Sequence, residues 1–169
     1  DFETDLGWDE DPYGNDDATT GMWERADPEG TNYNGDMQLG NTVSGSHDLV
    51  TGALAGSSVG SYDIDNGETS ILSSEITLPA GRELTLSFYY YLAHLDNASL
   101  DDYLRIFVIG DTSQMVFEEL GAGNNDYAAW DLFSTDISAF AGQTVQILIA
   151  AADAGGGSLI EAGVNDVLI

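Results

Sequence analysis

Four groups of acidic and amide side chains have the types and spacing to hold a hard cation. They are Asp9, Asp11, Asn15, Asp16 and Asp17; the run Asp63-Ile64-Asp65-Asn66-Gly67-Glu68-Thr69; Asp96, Asn97, Asp101 and Asp102; and Glu161, Asn165 and Asp166. Calcium takes roughly six to eight oxygens from carboxylates, amides, carbonyls and water, so Asp and Asn gathered in turns suit it. Zinc would want His or Cys, and the chain has two histidines and no cysteine. The second group is not an EF-hand. From Asp63 the fifth position is Gly67 and the twelfth is Ser74, where that loop needs acidic ligands. A β-type calcium loop stays open as a reading, and so does a plain solvated acidic surface. Asp166 is the strongest single candidate. It lies among Val164, Val167 and Ile169, where a carboxylate must be exposed, paired or metal-bound. A site joining it to Glu3 or Asp5 would tie the last strand to the first.

The aromatics offer a second chemistry. Trp8, Trp23, Trp130, Tyr13, Tyr33 and Tyr89–Tyr91 exceed what a core requires. Aromatic faces stack on pyranose rings, and nearby Asp, Asn and Gln bond the hydroxyls. Trp8, Trp23, Tyr90 and Trp130 are the expected ligand-binding residues. The alternative is that most are core or loop anchors.

Catalytic constellations are weak. Gly56-Ser57-Ser58-Val59-Gly60 matches the GxSxG elbow by letter. That elbow needs a strand before its serine and a helix after it, and here small residues precede and a turn follows. His47 and His94 are too far apart for an HExxH zinc site. No glycine-rich phosphate loop stands in a strand-helix context. No catalytic residue is expected.

The elements that position these groups are strands. Glu83–Tyr89, Asp102–Ile109, Thr144–Ala150 and Gly163–Ile169 alternate polar and apolar residues, the period of a half-buried strand. Weaker candidates are Gly21–Arg25, His47–Thr51, Ser70–Leu78, Met115–Leu120 and Tyr127–Ser134. Turn chemistry at Asn66-Gly67, Pro79-Ala80-Gly81, Gly121–Asp126 and Asp153–Gly157 separates them. Only Asp136–Ala141 invites a helix, capped by Asp136 and stopped by Gly142. About nine or ten strands are expected. They predict an all-β fold, an antiparallel β-sandwich, as a single domain over residues 1–169. The first 45 residues read as long ordered loops around short strands.

Composition narrows the function. Thirty Asp and Glu oppose three arginines (Arg25, Arg82 and Arg105), a formal net charge of −27 on 169 residues, yet 43% of the chain is hydrophobic. That apolar content and the many aromatics argue against disorder. Twenty of the acids are aspartate, the acid of turns and oxygen-ligand loops. Nucleic acid is excluded as a partner, because no basic face can be built. No stretch approaches the roughly 20 apolar residues of a membrane span. The opening DFETDLGWDEDPYG reads as the start of an excised or processed domain. The charge reads as adaptation to salt, with some of it offset by bound cations.

Several segments together resemble a known module. Thr20-Gly21-Met22-Trp23-Glu24-Arg25-Ala26-Asp27-Pro28-Glu29-Gly30-Thr31 is similar to the TGxWERxDPxGT segment of a jelly-roll module of large secreted bacterial proteins. Leu49-Val50-Thr51-Gly52, then Val59–Thr69 with its Asp63-Ile64-Asp65-Asn66-Gly67, then Leu72-Ser73-Ser74 follow in order. Leu86–Tyr91, Asp101-Asp102 and Gly157–Asp166 complete the set. Such modules resemble MAM and carbohydrate-binding jelly rolls, and accompany secreted zinc carboxypeptidases and related peptidases. The chain departs from the pattern where a Cys usually precedes VTG, and where Asn165-Asp166 replaces an Asp pair. The resemblance implies a non-catalytic accessory role. It also implies calcium near Asp63, Asp65 and Asp102 or between the first and last strands.

The expected protein is a calcium-stabilised jelly-roll accessory module, monomeric, secreted or at the cell surface of a marine or halophilic bacterium. It would bind glycan or protein substrate beside a parent catalytic domain. Its expected metal ligands are Glu3, Asp63, Asp65, Asp101, Asp102 and Asp166. A structural or adhesive module and a jelly-roll glycan lyase or hydrolase are the alternatives.

Overall fold

Leu104, Ile106 and Val108 are buried, while Tyr103, Arg105, Phe107 and Ile109 between them are half-exposed. This alternation points one side of the strand into a core and the other toward solvent. The same rule orders the whole chain, seen in a computed structural model that describes residues 1–169. The strands are β1 (Asp9–Glu10), β2 (Trp23–Ala26), β3 (Thr31–Asn32), β4 (Asp36–Gln38), β5 (Asp48–Thr51), β6 (Gly67–Leu72) and β7 (Ile76–Thr77). β8 (Thr85–His94), β9 (Tyr103–Ile109), β10 (Ser113–Leu120), β11 (Asp131–Asp136), β12 (Thr144–Asp153) and β13 (Ile160–Leu168) follow.

Two antiparallel sheets form the sandwich. The first runs β1-β6-β12-β9-β10, with β7 also pairing β12; the second runs β11-β8-β13-β5-β2. Their facing sides bury one cluster, including Leu86, Phe88, Leu92, Leu104, Ile106, Ile147, Ile149, Ile160 and Val164. Truncating one such Leu or Ile to Ala would cost about 2–5 kcal/mol.

The outer sides differ. The second sheet is roofed. Met37 and Leu39, from β4 and just after it, join Tyr91, Ala93 and Ala128 in a separate small core. The first sheet has no such roof, and its outward Arg105, Phe107 and Leu148 belong to neither core.

The antiparallel sandwich expected from the sequence is present. Three details are corrected. The run 70–78 is two strands, broken where Ser73 turns back to bond β12 through its backbone and hydroxyl. The helix expected over 136–141 is a single 3-10 turn, Ser138–Phe140. Asp136 ends β11 and accepts a hydrogen bond from the Ser138 N–H at 2.8 Å; burial of Ile137 and Phe140 in the core holds the turn. The strands number thirteen, because β1, β3 and β7 are two-residue pairings with no periodicity to read.

Candidate functional site

The open face of the first sheet is the candidate site. Its register lays out rows across four strands. Leu72, Leu148, Phe107 and Met115 make an apolar row. Ser70, Ala150, Arg105 and Glu118 make the next, and Glu68, Ala152, Tyr103 and Leu120 the third. Arg105 lies over the Tyr103 ring, its guanidinium carbon 3.8 Å from the centroid. Its Nε donates to Glu118 Oε2 at 2.8 Å. The Tyr103 hydroxyl donates to Glu68 Oε2. Burial and the Glu68 carboxylate hold the Tyr103 hydroxyl well above the usual phenol range. Two pairs thus fix a flat cation and an aromatic ring in place. Tyr103 and Phe107 are four residues apart on β9, about 13 Å at the rise of a strand.

What this surface can do is bind. An immobilised guanidinium presents donors to hydroxyl groups, and the Phe107 ring presents an apolar face. Small Ala150 and Ala152 keep the floor level between them. At one end of the middle row the Ser70 hydroxyl donates to Asp16 Oδ1 at 2.8 Å.

The aromatics expected from the sequence do not share a face. Trp23 is fully buried in the sandwich core and lies against a surface pocket with Met22, Glu24 and Tyr62. Trp8 packs edge-on against Phe2, with ring centroids 5.7 Å apart. Trp130 stands on the roof over Tyr91, 5.0 Å away, and its Nε1 donates to Asn41 O at 2.9 Å. Tyr90 packs its ring on Phe117 at 4.5 Å and lines a narrow cleft with Glu119, Asp126, Tyr127 and Asp131. Burial first, then Glu119, pushes its hydroxyl up to about 12.

The expected metal ligands fall in three places, and no three acidic or histidine side chains converge on one point. Asp102 is fully buried, but its carboxylate accepts backbone N–H bonds from Ser99, Ala154 and Gly155. That makes it a turn anchor, and Asp101 beside it is exposed. Asp63 lies against the backbone of Ile160, beside Asp65 and Asp153. Desolvation first, then Asp65, pushes its carboxyl up to about 7. Asp153 in turn accepts from the Asn66 and Ser158 N–H groups. Glu3 and Asp166 grip one loop from opposite ends of the chain. Glu3 Oε1 accepts from the Ser46 and His47 N–H groups at 2.7 and 2.8 Å, and Asp166 Oδ1 accepts from the Ser44 hydroxyl at 2.6 Å. Those bonds hold the Glu3 carboxyl below the usual range, the backbone bond of Ser46 first.

No protein-family model matches the chain, and no curated protein matches it in sequence. Solved structures match it in fold. The K3 cleaved adhesin domain of Lys-gingipain from Porphyromonas gingivalis W83 is similar over 99% of this chain and 94% of that one, with a TM-score of 0.58 at 15% identity. The K2 adhesin domain of Lys-gingipain gives 0.54 at 14%, over 98% and 94%. TmCBM61, solved in complex with β-1,4-galactotriose, gives 0.54 at 11%, over 95% and 85%. The chain has the jelly-roll fold of adhesin and carbohydrate-binding domains.

On this jelly roll the sequence reading missed the open face. Tyr103, Arg105 and Phe107 were legible as alternate residues of one strand, with one of only three arginines among them. The signal was there, but a strand's outer side looks the same whether covered or bare.

Proposed function

We propose that this jelly roll is a non-catalytic accessory module that binds a neutral glycan on the open face of its first sheet. The carrying observation is the Tyr103–Arg105–Glu118 arrangement beside Phe107. Glu68, Glu118 and Asp16 border it, so an acidic polysaccharide would be repelled. Phe107 supplies a stacking face, and Arg105 supplies donors to hydroxyls. The bound galactotriose of TmCBM61 supports a sugar as the ligand class. The parent protein we infer is a secreted or surface-exposed bacterial hydrolase, a peptidase by the sequence resemblance. Calcium is assigned to Asp63 and Asp65, and to Glu3 and Asp166, where it would crosslink loops and chain ends.

Affinity electrophoresis through gels containing neutral polysaccharides, β-1,4-galactan included, tests the reading. Retardation that Arg105→Ala and Phe107→Ala abolish supports it. No retardation in any gel, with the fold intact, sinks it. The apolar row of Leu72, Leu148, Phe107 and Met115 then favours the second reading, an adhesive module docking a protein.

A further inference from the structure

The roofed side of the second sheet holds a layer of buried oxygen that the fold leaves unsatisfied. Asp48 and Asn165 are 0% exposed, and Tyr91 and Glu161 are 2% exposed. Both Asp48 carboxylate oxygens, Glu161 Oε2, Asn165 Oδ1 and the Tyr91 hydroxyl have no hydrogen-bond partner. These are five of the seven buried side-chain atoms in that condition.

Register brings them together. β13 pairs Gly163 with Val50 on one side and Tyr91 on the other. Leu49 pairs Val164, so Asp48 comes beside Asn165 on the same face. The Asn165 amide donates to His47 O at 3.4 Å, which leaves its oxygen free. Gly163 has no side chain, and the Tyr91 ring takes that space. A Cβ at 163 would lie 3.0 Å from the Tyr91 hydroxyl oxygen. The hydroxyl is carried across β13 toward β5, with Asp48 and then Glu161 the acids acting on it.

The layer has an excess of acceptors. Four are acceptor oxygens, and the one hydroxyl has a single hydrogen to give. Unpaired buried acceptors are strongly destabilising. No cationic side chain relieves them: Arg25 donates to Phe2 O, Arg105 pairs Glu118 on the other sheet, and no ion pair includes Asp48 or Glu161.

We propose that this layer is a calcium site, formed by the Asp48 carboxylate, the Asn165 amide oxygen and the Tyr91 hydroxyl; Glu161, whose acidic neighbour is Asp63, is not one of its ligands. An all-oxygen donor set suits a hard cation. Magnesium sheds its water reluctantly, and a layer this buried leaves little room for a hydrated ion. The site is separate from the Asp63 and Glu3 positions.

Equilibrium dialysis with calcium and luminescence with terbium, a calcium surrogate, test it on the full chain. Trp130, edge-on to Tyr91 at 5.0 Å, is the antenna. The variants are Asp48→Asn, Tyr91→Phe and Glu3→Gln. Asp48→Asn is expected to lose one bound calcium, the Trp130-sensitised terbium emission and part of the calcium-induced rise in melting temperature. Tyr91→Phe is expected to weaken calcium binding while folding normally. Glu3→Gln is expected to keep the terbium signal, so failure at the Glu3 position reads separately. Unchanged calcium stoichiometry in both Asp48→Asn and Tyr91→Phe overturns the proposal. So does an Asp48→Asn variant more stable in chelator that keeps the full calcium response, since the layer then holds protons.

Discussion

Gly163 and Tyr91 occupy one space: a Cβ at 163 would lie 2.3 Å from Cε1 of the Tyr91 ring. Neither the ring nor the central strand can move freely, because Tyr91 is packed under Met37 and Leu39. Gly163→Ala is therefore expected to destabilise the protein by about 1–3 kcal/mol through overpacking. Adding Tyr91→Leu should shrink the penalty, and a double-mutant cycle in urea measures that coupling. Additive losses would mean the two positions do not share the space.

Arg105 separates binding from stability. Its ion pair with Glu118 is about two-thirds shielded on each side, and such pairs contribute about 0–1 kcal/mol. Arg105→Ala should shift the urea midpoint little, yet remove retention on a glycan matrix. Arg105→Lys should restore little of it, because a lysine lacks the planar fork that stacks on Tyr103. Full retention by either variant places the binding elsewhere.

Trp23 behaves in the opposite way. It is wholly buried in the sandwich core, and removing such a ring costs about 3–5 kcal/mol. Trp23→Ala should lower the melting temperature sharply. Any molecules still folded should retain the glycan affinity of the parent chain, measured by calorimetry at low temperature.

Acidity should stabilise this chain in the absence of calcium. Burial pushes the Asp48 and Asp63 carboxyls up to about 7, and burial likewise raises Glu161. Asp27 and Tyr91 face Asp48; Asp65, Asp153 and Glu161 face Asp63. In the unfolded chain an aspartate titrates near about 4. Between those values the native state holds protons that the unfolded state has released, so stability falls as pH rises through about 7. Melting in chelator is expected to be higher at pH 5 than at pH 8, with the difference persisting in high salt. Salt screens surface repulsion but not burial. A melting temperature that climbs from pH 5 to pH 8 contradicts this, and Asp48→Asn should flatten part of the slope.

Much of the fold was written in local pattern. Alternation over β8, β9, β12 and β13 is visible in the residues because one side of each strand must be apolar. β1, β3 and β7 carry no such pattern; they exist because neighbours offered free backbone groups, as β6 does to Asp9 and Glu10. Asp102 shows the limit for sites. In the sequence it is one of a ligand-like cluster, and only the fold supplies the three N–H groups that occupy it.

The residue types alone determined an acidic, cysteine-free, antiparallel β protein. Strand periodicity and charge are local properties, so they survive without coordinates. Tertiary structure decided which sheet face is roofed and which is bare. That choice leaves Tyr103, Arg105 and Phe107 half-exposed and buries the oxygens of Asp48, Tyr91 and Glu161. A strand presents the same alternation on both faces, and only the packing of the β3–β4 hairpin over one of them sets which side chains meet water.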